Sequence, residues 1–146
     1  MADEINILVA LQNNQNALFF REAVKLIPKK VIFHRFRSGV MLMQYLVTTN
    51  PMNALVFFEP DMRHKNGFEC LTEIRANPKY KHLNLLMLTE ENNEIIKKAI
   101  EKRVNYVIKK PDCIEHMRDM ILYFLQKEVK AMPQNVKKFV FAHRLV

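Results

Sequence analysis

The stretch Leu55-Val56-Phe57-Phe58-Glu59-Pro60-Asp61-Met62-Arg63-His64-Lys65-Asn66-Gly67 decides the fold. An apolar run ends abruptly at a carboxylate, and a polar loop then closes at a glycine that opens a new helix. The run is too short for a helix and is rich in residues that suit a strand buried on both faces. A carboxylate just past such a strand lies at the carboxyl edge of an open α/β sheet, where those folds keep their sites. Glu59 and Asp61 are therefore the first candidate site residues.

Working outward, the same alternation recurs on both sides. Ile5 to Leu11 reads as a buried strand, followed by a polar loop, Gln12 to Asn16, able to cap a helix. Phe19, Ala23, Leu26 and Ile27 recur at helical spacing until Pro28 stops them. Val31 to Phe36 is a second strand, made polar by His34 and Arg35, which suits a sheet edge. Gly39 opens a second helix that ends near Asn50-Pro51, and Gly67 opens a third that closes at Asn77-Pro78. Leu83 to Leu88 is a fourth strand with Thr89 at its end. Glu90, Glu91 and Glu94 favour the start of a fourth helix, because negative charge complements the dipole there. Val104 to Ile108 is a fifth strand, closed by Lys109-Lys110-Pro111, and a last long helix carries Ile114, Met117, Ile121, Phe124 and Leu125 inward. Five strands alternating with five helices predict parallel βαβ units in a doubly wound sheet. The strand ends then gather Leu11 and Gln12, Glu59 and Asp61, Thr89, and Lys110.

Composition bounds the function. The 146 residues suffice for one domain with a proper core and a short extension. Two glycines cannot build a phosphate-cradling loop, and they leave turns to Asn, Asp and Pro. Two cysteines without partners at metal-ligand spacing, no signal peptide and no long apolar run predict a reduced, cytoplasmic chain. The histidines, never at i,i+4, predict no zinc site. The nine methionines fall in apolar stripes and read as core. The net charge of +8 attracts nucleic acid or acidic surfaces, although a solvated basic surface accounts for it equally well. Without an aromatic-interleaved basic strand or a recognition helix, nucleic-acid binding ranks last among the functions.

The order and spacing of these signals resemble the receiver domain of two-component response regulators, of the chemotaxis-regulator kind, over roughly residues 5–126. Gly67 lies eight residues after the strand-end carboxylate, Thr89 ends strand four, Lys110-Pro111 ends strand five, and Gly39 follows strand two, as in that family. The resemblance implies a flavodoxin-like strand order, 2-1-3-4-5. It also implies a phosphoacceptor at the position of Glu59, phosphoryl contacts from Thr89 and Lys110, and Mg²⁺ held by two acidic residues at the end of strand one. The departures are pointed. The acidic pair falls at Leu11 and Gln12, and the acceptor is Glu. Val107 stands where many receivers place a switching aromatic, with Tyr106 adjacent, and Arg103 replaces a glycine. The pattern resembles a degenerate pseudo-receiver that holds no metal and needs no cofactor.

Phosphoryl transfer depends on positioning and on neutralisation of charge by metal and cations, so loss of the acidic pair argues against it. Glu59 and Lys110 are expected within ion-pair or water-bridged reach, either as a mimic of a locked state or as a solvated remnant of the old site. The expected role is a signalling module, not an enzyme, that binds a protein: a histidine kinase, a phosphorelay component or a downstream regulator. The resemblance places that contact at residues 92–126, with a second copy of the chain as a further partner. The runner-up is a working phosphoacceptor at Glu59 or Asp61. Residues 127–146 form an extension bearing five cations against Glu128, a net +4. Pro133 is expected to end any continuation of the fifth helix. Phe139-Val140-Phe141 reads as a short β-former able to add to a free sheet edge. Such a tail is too apolar for a solvated one and is expected to pack, more readily on its own domain than on a second copy.

Overall fold

The computed structural model describes residues 5–126 and 131–143. The elements are β1 (Ile5–Ala10), α1 (Asn14–Lys25), β2 (Val31–Phe36), α2 (Gly39–Thr49), β3 (Ala54–Phe58) and α3 (Gly67–Ala76). After a short 3-10 turn at Pro78–Tyr80 come β4 (Asn84–Leu88), α4 (Asn93–Glu101), β5 (Tyr106–Ile108), α5 (Ile114–Phe124), α6 (Gln134–Lys137) and β6 (Val140–His143). The sheet order is β2-β1-β3-β4-β5-β6, parallel through β5 and antiparallel between β5 and β6. The expected doubly wound sheet in the order 2-1-3-4-5 is present, with one more strand and one more helix than the five and five expected.

Alternate strand residues build two apolar layers, as the two-residue period requires. Leu8, Val56, Phe58, Leu85, Met87 and Val107 face α2, α3 and α4. Ile7, Val9, Leu55, Phe57, Leu86 and Ile108 face α1, α5 and α6. Asparagine does much of the punctuation. Asn13, Asn66 and Asn92 cap α1, α3 and α4 with their side chains, and Asn66 forms a reciprocal capping box with Glu69. Asn50 ends α2 in the left-handed conformation.

Neither glycine has positive φ; both serve close approach. A Cβ on Gly39 would strike the Lys65 carbonyl and the Cys70 sulfur, and one on Gly67 would strike the Glu59 carbonyl. The left-handed positions fall instead to Asn50, His64 (φ 69°) and Arg103 (φ 68°). Turns thus rely on His and Arg as well as on the Asn, Asp and Pro expected. Arg103 is secured by reciprocal bonds: its guanidinium donates to the Arg75 carbonyl at 3.1 Å, and Arg75 Nε donates to the Arg103 carbonyl at 2.9 Å.

The extension packs on the domain through the residues described. β6 pairs with β5 at Tyr106–His143, Val107–Ala142 and Ile108–Val140, with an irregularity between Val107 and Ile108. The Lys109 amide donates to the Phe139 carbonyl at 2.9 Å. Phe139 and Val136 are buried against the α1/α5 layer, while Phe141 and Ala142 pack against the other. The β-former therefore adds to a free sheet edge of its own domain, that of β5. Pro133 does not end α5, which closes at Phe124; it sits at the N-cap of α6. Among the described residues no helix is long and apolar enough to cross a membrane.

Candidate functional site

The chain reverses direction across the sheet at β1, so the carboxyl ends of β1 and β3 open the crevice where such folds bind ligands. The cleft there, about 300 Å³, is lined by Asn16, Glu59, Pro60, Asp61, Leu88, Thr89, Glu90 and Lys110. Glu59, Asp61, Thr89 and Lys110 thus meet in one place, brought together by the ends of β3, β4 and β5.

The two β1-end positions do different work. Leu11 is fully buried in the α1/α5 layer and offers no side-chain donor or acceptor. Gln12 organises the loop. Its amide N–H donates to Glu59 Oε1 at 2.7 Å, and its Oε1 accepts the Arg63 amide N–H at 2.6 Å. The loop is closed by the Gly67 amide donating to the Pro60 carbonyl at 2.9 Å.

Arg35 holds the other side of this edge. It pairs opposite Val9 in the β1–β2 register, and its side chain runs forward along the sheet. Nε donates to the Leu11 carbonyl at 2.9 Å, and a terminal guanidinium nitrogen donates to the Gln12 carbonyl at 3.0 Å. Burial and nearby Arg37 push the guanidinium pKa down, while the Glu59 carboxylate pulls it back up. Glu59 itself is pushed up from the usual carboxylate range, first by burial and also by Asp61; the Gln12 N–H and Arg35 oppose the rise. From sequence alone Arg35 reads only as a polar edge residue. The signal available was an arginine one position before the end of the strand flanking β1.

Lys110 lines the same cleft as Glu59 without a direct ion pair to it. Among the described residues no ion pair joins it to Glu59. Its ammonium lies over the Phe19 ring, 4.9 Å from the centroid, and donates to Asn16 Oδ1 at 3.3 Å. Phe19 and Asn16 belong to α1, so the cation is drawn to the α1 side of the cleft. Thr89 does not cap α4, since Asn92 does; its amide donates to the Ile108 carbonyl at 2.9 Å.

The Mg²⁺ implied by the resemblance does not fit these donors. Mg²⁺ asks for near-octahedral oxygen ligation. Here the Leu11 and Gln12 carbonyls are occupied by a guanidinium, Gln12 Oε1 by Arg63, and one Glu59 oxygen by the Gln12 amide. A fixed guanidinium also repels a dication at that spot.

Val107 is fully buried in the α2–α4 layer, and Tyr106 points to the opposite layer, against Phe124 at 4.5 Å between ring centroids. Adjacent strand residues face opposite ways, so Tyr106 cannot stand in for an aromatic at Val107. It also stands opposite His143 in the β5–β6 register, the two rings 6.2 Å apart.

The cysteines were expected to lack partners at metal-ligand spacing, yet one group of such residues forms. Cys113 is the half-exposed N-cap of α5, and its sulfur lies within 4.8 Å of ligand atoms of Asp112 and His116. Cys70 is buried, its thiol pushed up to about 12 by burial.

No family model matches the sequence, and no curated protein sequence matches it. Solved structures do match. The Mn²⁺-bound form of the response regulator Rcp1 aligns with a TM-score of 0.76 at 20% identity, over 88% of this chain and 99% of its own. The phosphorylated cyanobacterial phytochrome response regulator RcpA aligns at 0.78 and 20%, over 86% and 97%. The isolated receiver domain of RcsB from Salmonella enterica serovar Typhimurium, with the phosphomimetic BeF₃⁻, aligns at 0.70 and 17%, over 93% and 98%. The chain has the receiver-domain fold of response regulators.

Proposed function

We propose that the protein is a receiver-like signalling module that works by protein–protein binding, without a Mg²⁺-dependent cycle of phosphorylation on a carboxylate. One observation carries this reading. The Arg35 guanidinium takes the two β1-end carbonyls, while Gln12 takes the Glu59 carboxylate, so the edge is closed by its own hydrogen bonds. The protein is then a non-enzymatic cytoplasmic component whose state is set by its partners.

The face for a kinase, relay protein or downstream regulator runs over residues 92–126, as the resemblance implies, with one modification. β6 covers the β5 edge, so a partner on that side meets α4 and the outer edge of β6 instead of β5. Asp61, Thr89 and Lys110 still line a cleft with Glu59, which is the observation favouring a phosphoacceptor at Glu59 or Asp61 as the second reading. Intact mass after incubation with acetyl phosphate and Mg²⁺ separates the two. No added phosphoryl group is expected, and a phosphoryl adduct mapped to Glu59 or Asp61 overturns the proposal.

A further inference from the structure

Just past the carboxyl end of β5, two residues beyond Lys110, three side chains of metal-ligating type converge. Asp112 and Cys113 precede α5, and His116 lies in its first turn. One ligand atom from each lies within 4.8 Å of the other two. His116 Nδ1 and Asp112 Oδ1 already share a proton at 2.7 Å. From this we infer that Asp112, Cys113 and His116 bind a thiolate-preferring divalent transition metal of the Zn²⁺ class, with the remaining position open to solvent or to a ligand from outside.

The geometry needs little adjustment. Zn²⁺ takes sulfur at about 2.3 Å and nitrogen or oxygen at about 2.0–2.2 Å, which sets tetrahedral ligand atoms roughly 3.3–3.7 Å apart. Closing from the present spacing is a matter of side-chain rotation by about 1 Å. The metal takes the place of the proton between His116 and Asp112. The thiol proton goes to solvent; the proton displaced from between His116 and Asp112 moves to Nε2 of the imidazole, or to solvent where Nε2 already carries one, so the bound ring is neutral.

The surroundings select the metal's class. Lys109, Lys110 and Lys138 lie nearby in sequence or in the packed tail, and the positive end of α5 adds to their field. A cation held by the exposed Asp112 alone would lose in that field. A thiolate and a carboxylate together cancel a 2+ charge, so the loaded site, with its neutral imidazole, carries no net charge. Hard Mg²⁺ and Ca²⁺, which gain nothing from sulfur, are excluded by the same argument. His116 is also preset: its ring packs against Phe139 at 5.6 Å between centroids, so the extension forms one wall of the site. The sequence signal is Asp-Cys-x-x-His, which places the last two ligands three residues apart, within one helical turn.

Co²⁺ and Zn²⁺ titrations of the full chain test this. Co²⁺ should bind one-to-one with a near-ultraviolet thiolate-to-metal absorption and visible bands of four-coordinate intensity, and Zn²⁺ should displace it and raise the melting temperature. Cys113→Ser should abolish the charge-transfer band, and His116→Gln and Asp112→Asn should each weaken Zn²⁺ binding at least tenfold, with unchanged far-ultraviolet circular dichroism. Zn²⁺ bound equally well by the Cys113→Ser/His116→Gln double variant, or a Co²⁺ complex without the thiolate band, overturns the proposal. So does the absence of saturable binding. None of these readouts depends on phosphorylation, so they stand apart from the fate of the proposed function.

Discussion

Replacing Phe139 with Ala tests whether the extension is part of the fold's core. The ring is 4% exposed and belongs to the α1/α5 layer, with the rings or ammonium groups of His116, Lys109 and Lys138 around it. An aromatic side chain of this kind buries on the order of 150 Å², which at about 25 cal/mol per Å² corresponds to roughly 4 kcal/mol. Measured Phe→Ala losses run about 3–5 kcal/mol. Its neighbours are long, flexible and near the surface, so they can settle into part of the gap, which argues for about 3 kcal/mol. The backbone bonds of Phe139, to the Val136 carbonyl and from the Lys109 amide, survive the change. At about 2.1 cal/mol/K per residue, a chain of this length has an unfolding entropy near 0.3 kcal/mol/K, so the melting temperature should drop by about 10 °C. Differential scanning calorimetry reads this directly. Lys138→Ala is the control: it removes only the exposed cation over the ring, and about 0.5 kcal/mol or less should move the midpoint by under about 2 °C. A drop below about 3 °C for Phe139→Ala, or equal effects from the two variants, refutes the assignment of this ring to the core.

Two further outcomes are expected. Glu59 has a folded-state pKa raised by burial, so the native state binds more protons than the unfolded chain above the ordinary value of 4.5. Wild-type stability should therefore fall as pH rises from 4.5 through the raised value, and Glu59→Gln should gain relative to wild type across that window in denaturant titrations. A difference that is flat with pH contradicts the burial argument. Cys70, with its thiol pushed up to about 12, should resist iodoacetamide at about pH 8, where only ~10⁻⁴ of it is thiolate. Mapped alkylation should therefore appear at half-exposed Cys113 alone, and rapid labelling of Cys70 in the folded protein contradicts its burial.

The sheet was legible because its inner strands are buried and the first three crossovers end in a Pro or Asn stop, at Pro28, Asn50-Pro51 and Asn77-Pro78. Val31–Phe36 was read to the residue, and its polarity marked it as an edge. Boundaries slipped where apolar residues continue past the ladder: Leu11, Leu83 and Val104 are buried but lie outside the paired segments. The candidate site was legible as a set of residues and not as a network. Glu59, Asp61, Thr89 and Lys110 could be placed on one edge from strand order alone. Arg35 reaches Leu11 and Gln12 only through the β1–β2 register, and the distance between Lys110 and Phe19 depends on how α1 lies against the sheet. Neither is a local property of sequence. The Asp112-Cys113-His116 group is local in sequence, but its single histidine makes no i,i+4 pair and so gives no zinc-site spacing.

The order in which the sheet can assemble follows from β6. Strands β1 to β5 are joined by successive crossovers, whereas the partner of Tyr106–Ile108 on the outer side lies as far along the chain as His143. Thirty-five residues separate Ile108 from His143. At about 5–20 residues per second, a ribosome leaves the β5 edge without its partner for roughly 2–7 s. During that interval the amides and carbonyls of β5 present an open ladder beside an apolar face, the kind of edge that recruits other chains. Synthesis rate and temperature should thus govern the yield of soluble protein, because the strand that retires this edge is made well after the five it joins.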